Sequence, residues 1–357
     1  MPDRREARPC GPPLPTPRGA LSAGVVSALA RGLPVPKPEE AAAADPYGDD
    51  LQLALYVLYE LHYQGFEGVD DEREWDPALL ALRRALEQRF IGALRADVPR
   101  RTPVQEALDD LQIEPVGQDG TSVSHYLQRD GEQGQLREYV ALRSLYHLKE
   151  ADPHAWVIPR LSGRAKAAMV AVEYDEFGAG RPDEIHARLF ADLMEDLGLE
   201  TAYGHYLDAA PAEALATVNL MSLLGLHRAL RGALVGHFAA VEVTSSPGSR
   251  RLAKALRRTG AGPAAIRFYD EHVEADAVHE QVVRHDVVGG LLESEPALEP
   301  DVVFGVQATT LLEDRLGAKL LAAWREGRGV LRQPASLRAQ GRPVAGPEPL
   351  SHTQGRE

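Results

Sequence analysis

The sequence predicts an all-α protein, and three observations carry that reading. Apolar residues recur at three- and four-residue steps along most of the chain, no run keeps the two-residue alternation of a strand, and glycine, proline and aspartate punctuate the periodic stretches. The prolines bound the folded body: ten of 26 lie in residues 1–47 and four beyond Gln333, leaving twelve for 48–332. A composition of 44% hydrophobic and 26% charged residues, with mean hydropathy −0.27, is that of a soluble globular chain.

Taken in order, residues 1–47 read as a Pro-rich extension whose LSAGVVSALA run forms a short helix docked on the body. Basic residues ahead of that run mimic a signal peptide, but two leucines and a central glycine make a weak apolar segment. Residues 37–47 read as a linker and 333–357 as a disordered tail. From Asp49 onward Leu51, Leu55 and Leu58 mark one helix, and Asp76-Pro77 opens another carrying Leu79, Leu82, Leu86 and Phe90. Further helices are expected over roughly 103–112, 135–150, 161–177, 183–197, 211–243, 249–258, 263–288 and 301–326. One helical bundle over 48–332 is the simplest organisation. No segment reaches the roughly eighteen apolar residues of a spanning helix, and no solenoid period repeats.

With 39 Lys+Arg against 53 Asp+Glu the chain carries a formal charge of −14, the wrong sign for a phosphate backbone or an anionic lipid surface. Nucleic acid and membrane are therefore not expected as partners. The single cysteine, Cys10, cannot form an intramolecular disulfide or a cysteine-based zinc or iron–sulfur site, and the expected compartment is the cytoplasm. Any metal must be held by His, Asp and Glu.

The stretch FYDEHVEADAVHEQ holds His272, Asp276 and His279. On a helix Asp276 falls about 40° and His279 about 20° from His272, so the three share one stripe. Two imidazoles and a carboxylate on successive turns suit a first-row transition metal; a solvated charged face is the competing reading, since Glu271, Glu274 and Glu280 flank the stripe. A second element weighs against that alternative. Of twelve histidines, only His279 and His186 follow a carboxylate, Asp276 and Asp183, by three residues. Paired carboxylate-x-x-His elements with extra glutamates are how helical bundles build two-metal carboxylate sites. Glu150, Glu173, Glu176 and Glu242 lie in otherwise apolar helical stretches, where a carboxylate is costly unless paired or metal-bound. Gly178, Gly180 and Pro182 interrupt the segment between Glu176 and His186, which reads either as a plain turn or as a pliable ligand segment.

LYELHYQGF, LYHLKEADPHAWVIPRL, EYDEFGAGRPDEIHARLF, NLMSLLGLHRALRGALVGHFAAVEVTSS and DEHVEADAVHEQ together resemble the haem-oxygenase-like di-iron oxidases and oxygenases of the actinobacterial iron-containing redox enzyme type, over roughly 49–331. The resemblance implies a haem-oxygenase-like bundle of about seven core helices, plus N-terminal accessory helices. It further implies ligands at Glu150, Glu176, His186, Glu242, His272, Asp276 and His279, which would hold two irons. Asp183 or Glu173 could join or replace Glu176. Haem itself is a lesser alternative, because a haem site would leave these convergent ligands without purpose.

The same resemblance implies that two ferrous ions bind O2 to give a peroxo-level oxidant acting on a small organic substrate: an amino acid, an amine or a carboxylate. An electron donor could join as partner, and the N-terminal segment can equally reach a second copy, as in a homodimer. Arg143, Arg228 and Arg231 could hold a substrate carboxylate bidentately, although such arginines are more often in ion pairs. His285 is offset by about 120° from His279 and reads at most as a partner to a ligand. His227 and His237 read as surface or core histidines, and His62, His147 and His154 show no ligand spacing. The competing functions are a metal-storing or metal-sensing bundle without organic substrate, and a metal-free helical interaction protein.

Overall fold

The computed structural model describes residues 11–98, 102–112 and 122–332, with the side chains of Glu274, Asp276 and Ala277 outside that description. Cys10 and the expected tail 333–357 lie outside the described residues. The described residues fold as an all-α protein without strands. The helices are α1 (Ala20–Arg31), α2 (Asp49–Glu60), α3 (Pro77–Asp97), α4 (Val104–Asp110), α5 (Val123–Arg129), α6 (Gln133–His147), α7 (Asp152–Ala155), α8 (Gly163–Glu176), α9 (His186–Asp196), α10 (Ala212–Leu226), α11 (Arg231–Thr259), α12 (Pro263–Val282), α13 (Gly289–Ser294) and α14 (Glu299–Arg325). None of them is long and apolar enough to cross a membrane.

Helix α11 is the axis, packed along both α12 and α14, with α9 against the far side of α12 and α10 bridging α2 and α14. The sequence explains the axial position. Gly236 of α11 lies where a Cβ would meet the Val302 carbonyl oxygen at 1.9 Å, and Gly305 of α14 lies where one would meet the Ala233 carbonyl oxygen at 1.9 Å. Two glycines thus bring two backbones together, and any side chain there would force the helices apart. Helix α10 is apolar all round and buried along nearly its whole length, as expected of a helix enclosed by others. At the N-terminal side, α1 buries Leu21, Val25, Ala28 and Leu29 against α2, while Pro38–Ala43, expected as linker, winds into a 3-10 turn packed on α3.

Two helix boundaries differ from the sequence expectation, each for a tertiary reason. The expected run 211–243 is divided, with His227 extended at φ −100° and ψ 110°. The last carbonyls of α10 are capped from elsewhere: Arg160 donates to Gly225 O and, at 3.0 Å, to Leu226 O. Conversely, the expected stop near Ser245–Gly248 is absent, and α11 runs through Pro247. A mid-helix proline costs about 3 kcal/mol; here Ser246, Ser249, Leu252, Ala253 and Leu256 continue the buried face beyond it, and Ser246 Oγ donates to Val273 O of α12 at 3.2 Å. Past Val282, the segment Val283–Val288 widens into a π-helical turn before α13.

Candidate metal centre

Four helices and one helix end deliver the ligand-type side chains to a single point. Glu150 follows the end of α6, Glu176 is the last residue of α8, His186 is the first of α9, Glu242 sits in mid-α11, and His272 and His279 project from α12. The turn after Glu176 brings the first two ligand segments together. Gly178 has φ +72°, and a Cβ there would meet the Glu184 carbonyl carbon at 2.7 Å, so only glycine permits the reversal that folds α9 back on α8. Asp276 lies in α12 between the two histidines, but its side chain is outside the described residues.

The buried groups form two sets sharing one member: Glu150, Glu176, His186 and His272, then Glu176, Glu242 and His279, with the ligand atoms of each set within 4.8 Å of one another. All six residues are 6% exposed or less. Glu176 Oε2 lies 2.7 Å from His186 Nδ1, whereas its Oε1 lies 3.6 Å from His279 Nδ1. One carboxylate therefore turns an oxygen to each set. Glu242 Oε2 completes the second set at 3.3 Å from His279 Nδ1.

Neighbouring groups fix the ring orientations. His272 Nδ1 donates to Phe268 O at 2.7 Å, which gives that nitrogen the proton and leaves the Nε2 lone pair for the first set. His279 Nε2 donates to Asp175 Oδ2 at 3.3 Å, so Nδ1 is the nitrogen turned to Glu176 and Glu242. His147 Nδ1 donates to Glu150 Oε2 at 2.9 Å while its ring stacks on Phe190, with centroids 4.6 Å apart. Partners that orient a ligand in this way are a regular part of metal sites. Asp175 and His147 carry no sequence signal as ligand partners. Leu148 and Lys149 leave α6 before Glu150, so helical spacing does not apply to the His147 contact.

The electrostatics are those of a centre short of positive charge. Burial, reinforced by Glu150, raises the Glu176 carboxyl; burial also raises Glu242, partly opposed by its hydrogen bond to His279. Burial lowers the His279 imidazole, but the Glu242 and Glu176 carboxylates outweigh it and raise its pKa to about 9. Burial would raise Glu150 too, yet His147, His272 and His186 hold it below its ordinary value. Among the described residues, no lysine or arginine forms an ion pair with Glu150, Glu176 or Glu242. Carboxylates and imidazoles converging without a lysine or arginine suit a hard-to-borderline divalent metal such as iron.

The other candidates fall outside the two sets. Asp183 is exposed on the turn before α9. Glu173 is 2% exposed, neither of its oxygens has a hydrogen-bond partner, and burial followed by Glu176 and Glu242 raises its pKa to about 9. His285 is exposed, His227 pairs with Glu87, and His237 bonds Thr309. A cavity of about 480 Å³ adjoins the centre, with His272, His147, Tyr146, Arg143 and Glu313 in its wall. Of the three arginines suggested as carboxylate binders, only Arg143 lines it; Arg231 pairs with Glu295 outside.

The fold and the site are those of an all-helical bundle enclosing two abutting His/carboxylate sets that could hold metal ions. Residues 137–314 match the family model described as iron-containing redox enzyme, and the chain belongs to that haem-oxygenase-like family of oxidoreductases. The matched region contains every residue of both sets. A search of curated proteins finds no match to the chain.

Proposed function

We propose that the chain is a non-haem di-iron enzyme that uses O2 to oxidise a small organic substrate. The observation that carries this reading is Glu176, which turns one carboxylate oxygen to Glu150, His186 and His272 and the other to Glu242 and His279. Asp276 is proposed as a seventh ligand by its place between the two histidines. Ferrous iron held by these residues would supply electrons and open coordination positions for the reduction of O2.

The protein's own groups have separate tasks. Phe268 O, Asp175 and His147 hold His272, His279 and Glu150 in orientation. The apolar helices around the centre keep bulk water from the reacting atoms. The adjoining cavity holds the organic substrate against the His272 side of the centre. A metal-storing bundle would use the same ligands, but it needs no such chamber beside them, and the chamber favours the enzyme.

Anaerobic loading with Fe(II) followed by an iron count, then O2 consumption with and without candidate substrates, tests the reading. Two irons per chain and substrate-accelerated O2 uptake are expected. An iron count equal to that of a His272→Ala/His279→Ala variant removes the metal site; full loading with O2 uptake that no organic compound accelerates assigns storage instead.

A further inference from the structure

Helix α8 is apolar on two opposite faces. Ala165, Met169 and Val172 are buried in the core, while Ala167, Val170, Ala171 and Tyr174 are exposed. At 100° per residue the exposed four fall within about 100° of one another and form one continuous stripe. Val170 is 43% exposed, Tyr174 56% and Val278 of α12 63%, three of the five exposed large hydrophobic side chains among the described residues. His279 bonds Asp175, which brings α12 and Val278 to the C-terminal end of the stripe. Helix α10 is apolar all round and enclosed by its neighbours, whereas the outer stripe of α8 has no such cover.

The charges beside the stripe indicate what covers it. Arg164 stands at one end of α8 and Asp175 at the other, about 20° apart in helical projection and therefore on the same flank. Arg164 is 52% exposed and gives one N–H to Glu293 Oε2 at 2.7 Å, which leaves most of its five donors for other acceptors. Asp175 is 56% exposed and accepts from His279 through Oδ2 alone. A second copy of α8 packed parallel would set arginine beside arginine and aspartate beside aspartate. Packed antiparallel, same-flank residues meet, and each Arg164 falls beside the other copy's Asp175. The midpoint between Arg164 and Asp175 and the midpoint of the Ala167–Tyr174 stripe both lie within one residue of Val170, so the charges and the apolar contacts share one register. An unrelated partner has no reason to match one charge at each end in that register; the chain itself does.

We propose that α8 is the contact face of a two-fold homodimer, in which two copies of the helix pack antiparallel about Val170 and Arg164 of each copy pairs with Asp175 of the other. The contact runs about 16 Å along the helix from Arg164 to Asp175, so the dimer is weak and concentration-dependent. It also reaches the metal centre, because the second copy's Arg164 fixes the carboxylate that holds His279. That link rests on reading the two His/carboxylate sets as a metal centre, and the interface itself does not.

Sedimentation velocity of the full chain, from micromolar to several hundred micromolar, is expected to show a monomer–dimer equilibrium. Val170→Asp sets two like charges on the axis and is expected to be monomeric, as are Arg164→Glu and Asp175→Lys alone. An equimolar mixture of the last two is expected to recover the dimer, since both cross-contacts then pair opposite charges. In a Cys10→Ser background, Val170→Cys is expected to cross-link to its counterpart on mild oxidation and Tyr174→Cys is not; parallel packing predicts both. A parent that stays monomeric, equal cross-linking at the two positions, or a mixture that remains monomeric overturns the proposal. Iron counted at limiting Fe(II) reads the link separately. Val170→Asp is expected to retain several-fold less than the parent, and equal iron overturns the link while leaving the interface in place. Iron bound by neither protein would overturn the metal reading, with sedimentation still deciding the dimer.

Discussion

At the end of α6 two consecutive side chains enter two different buried sites. Lys149, 3% exposed, donates to Glu60 Oε2 at 2.8 Å between the rings of Tyr56 and Tyr63, and Tyr203 donates to Glu60 Oε1 at 2.7 Å. Glu150, 6% exposed, joins Glu176, Glu242 and three histidines, with no lysine or arginine paired to any of these carboxylates among the described residues. Both sites bury carboxylate charge, but the first closes it with a lysine and the second has only imidazoles, groups that can equally ligate a metal. A closed, satisfied pair has nothing left to bind. A set of carboxylates and imidazoles with no lysine or arginine beside it could hold a metal ion, so adjacent residues serve a closed ion pair and a candidate metal centre.

The largest expected effect comes from the residue common to both metal sets. Glu176→Ala removes a ligand from each, so iron retained after anaerobic loading and desalting is expected to fall to background. Glu242→Ala touches one set and is expected to keep the iron of the other. Equal iron in the two variants would show that Glu176 does not join two sites.

Lys149→Met breaks the other site. It strands Glu60 without a cation in a fully buried position, and urea unfolding is expected to show a loss of about 3–5 kcal/mol. Lys149→Met/Glu60→Leu is expected to recover most of that loss, since an apolar pair replaces an ionic one. Iron per chain should stay at the parental value in both. Loss of iron alongside stability would mean that the two sites are coupled through the Lys149-Glu150 backbone.

Glu173 belongs to neither arrangement, lacking both a cation and a place in the ligand sets, and it sharpens the comparison through pH. Its pKa of about 9 in the fold lies above the ordinary carboxyl value, so between them the folded state holds a proton that the unfolded state has released. Stability of the metal-free protein therefore falls as pH rises through that window, by up to about 1.4 kcal/mol per pH unit from this group. Glu173→Gln removes the titration. It is expected to match the parent near pH 5 and to exceed it at pH 8 by up to about 4 kcal/mol. Parallel stability curves across that range would mean the carboxyl is not held protonated.

The sequence made the candidate metal ligands legible and the scaffold's counter-charges illegible for the same reason. His272 and His279 share a stripe because helical geometry converts spacing into direction, and glutamates within apolar runs stand out as costly. The partners that complete the picture come from distance. Glu60 is 89 residues from Lys149, and Glu313 is 170 from Arg143, so no local pattern announces either pair. The helix boundaries follow the same division: Arg160 caps α10 across 65 residues, whereas the proline in α11 is tolerated because the packing around it continues.

The smallest effect tests where the two sites meet. His147 donates to Glu150 Oε2 and stacks on Phe190, so it restricts which carboxylate oxygen faces His272 and His186. Partners of ligands typically alter metal affinity by about 10–100-fold when removed. His147 occupies only one hydrogen bond to one of several ligands, which places it at the lower end, about tenfold or 1.4 kcal/mol. His147→Phe is expected to weaken the first iron by that factor and to alter the ligand-field spectrum of the cobalt-substituted protein. His147→Asn, which can still donate from its side chain toward Glu150, is expected to restore part of both. A packing role alone predicts the reverse order, because phenylalanine preserves the stack on Phe190 and asparagine does not. The spectrum of the two variants therefore distinguishes a residue that positions Glu150 from one that merely fills space beside it.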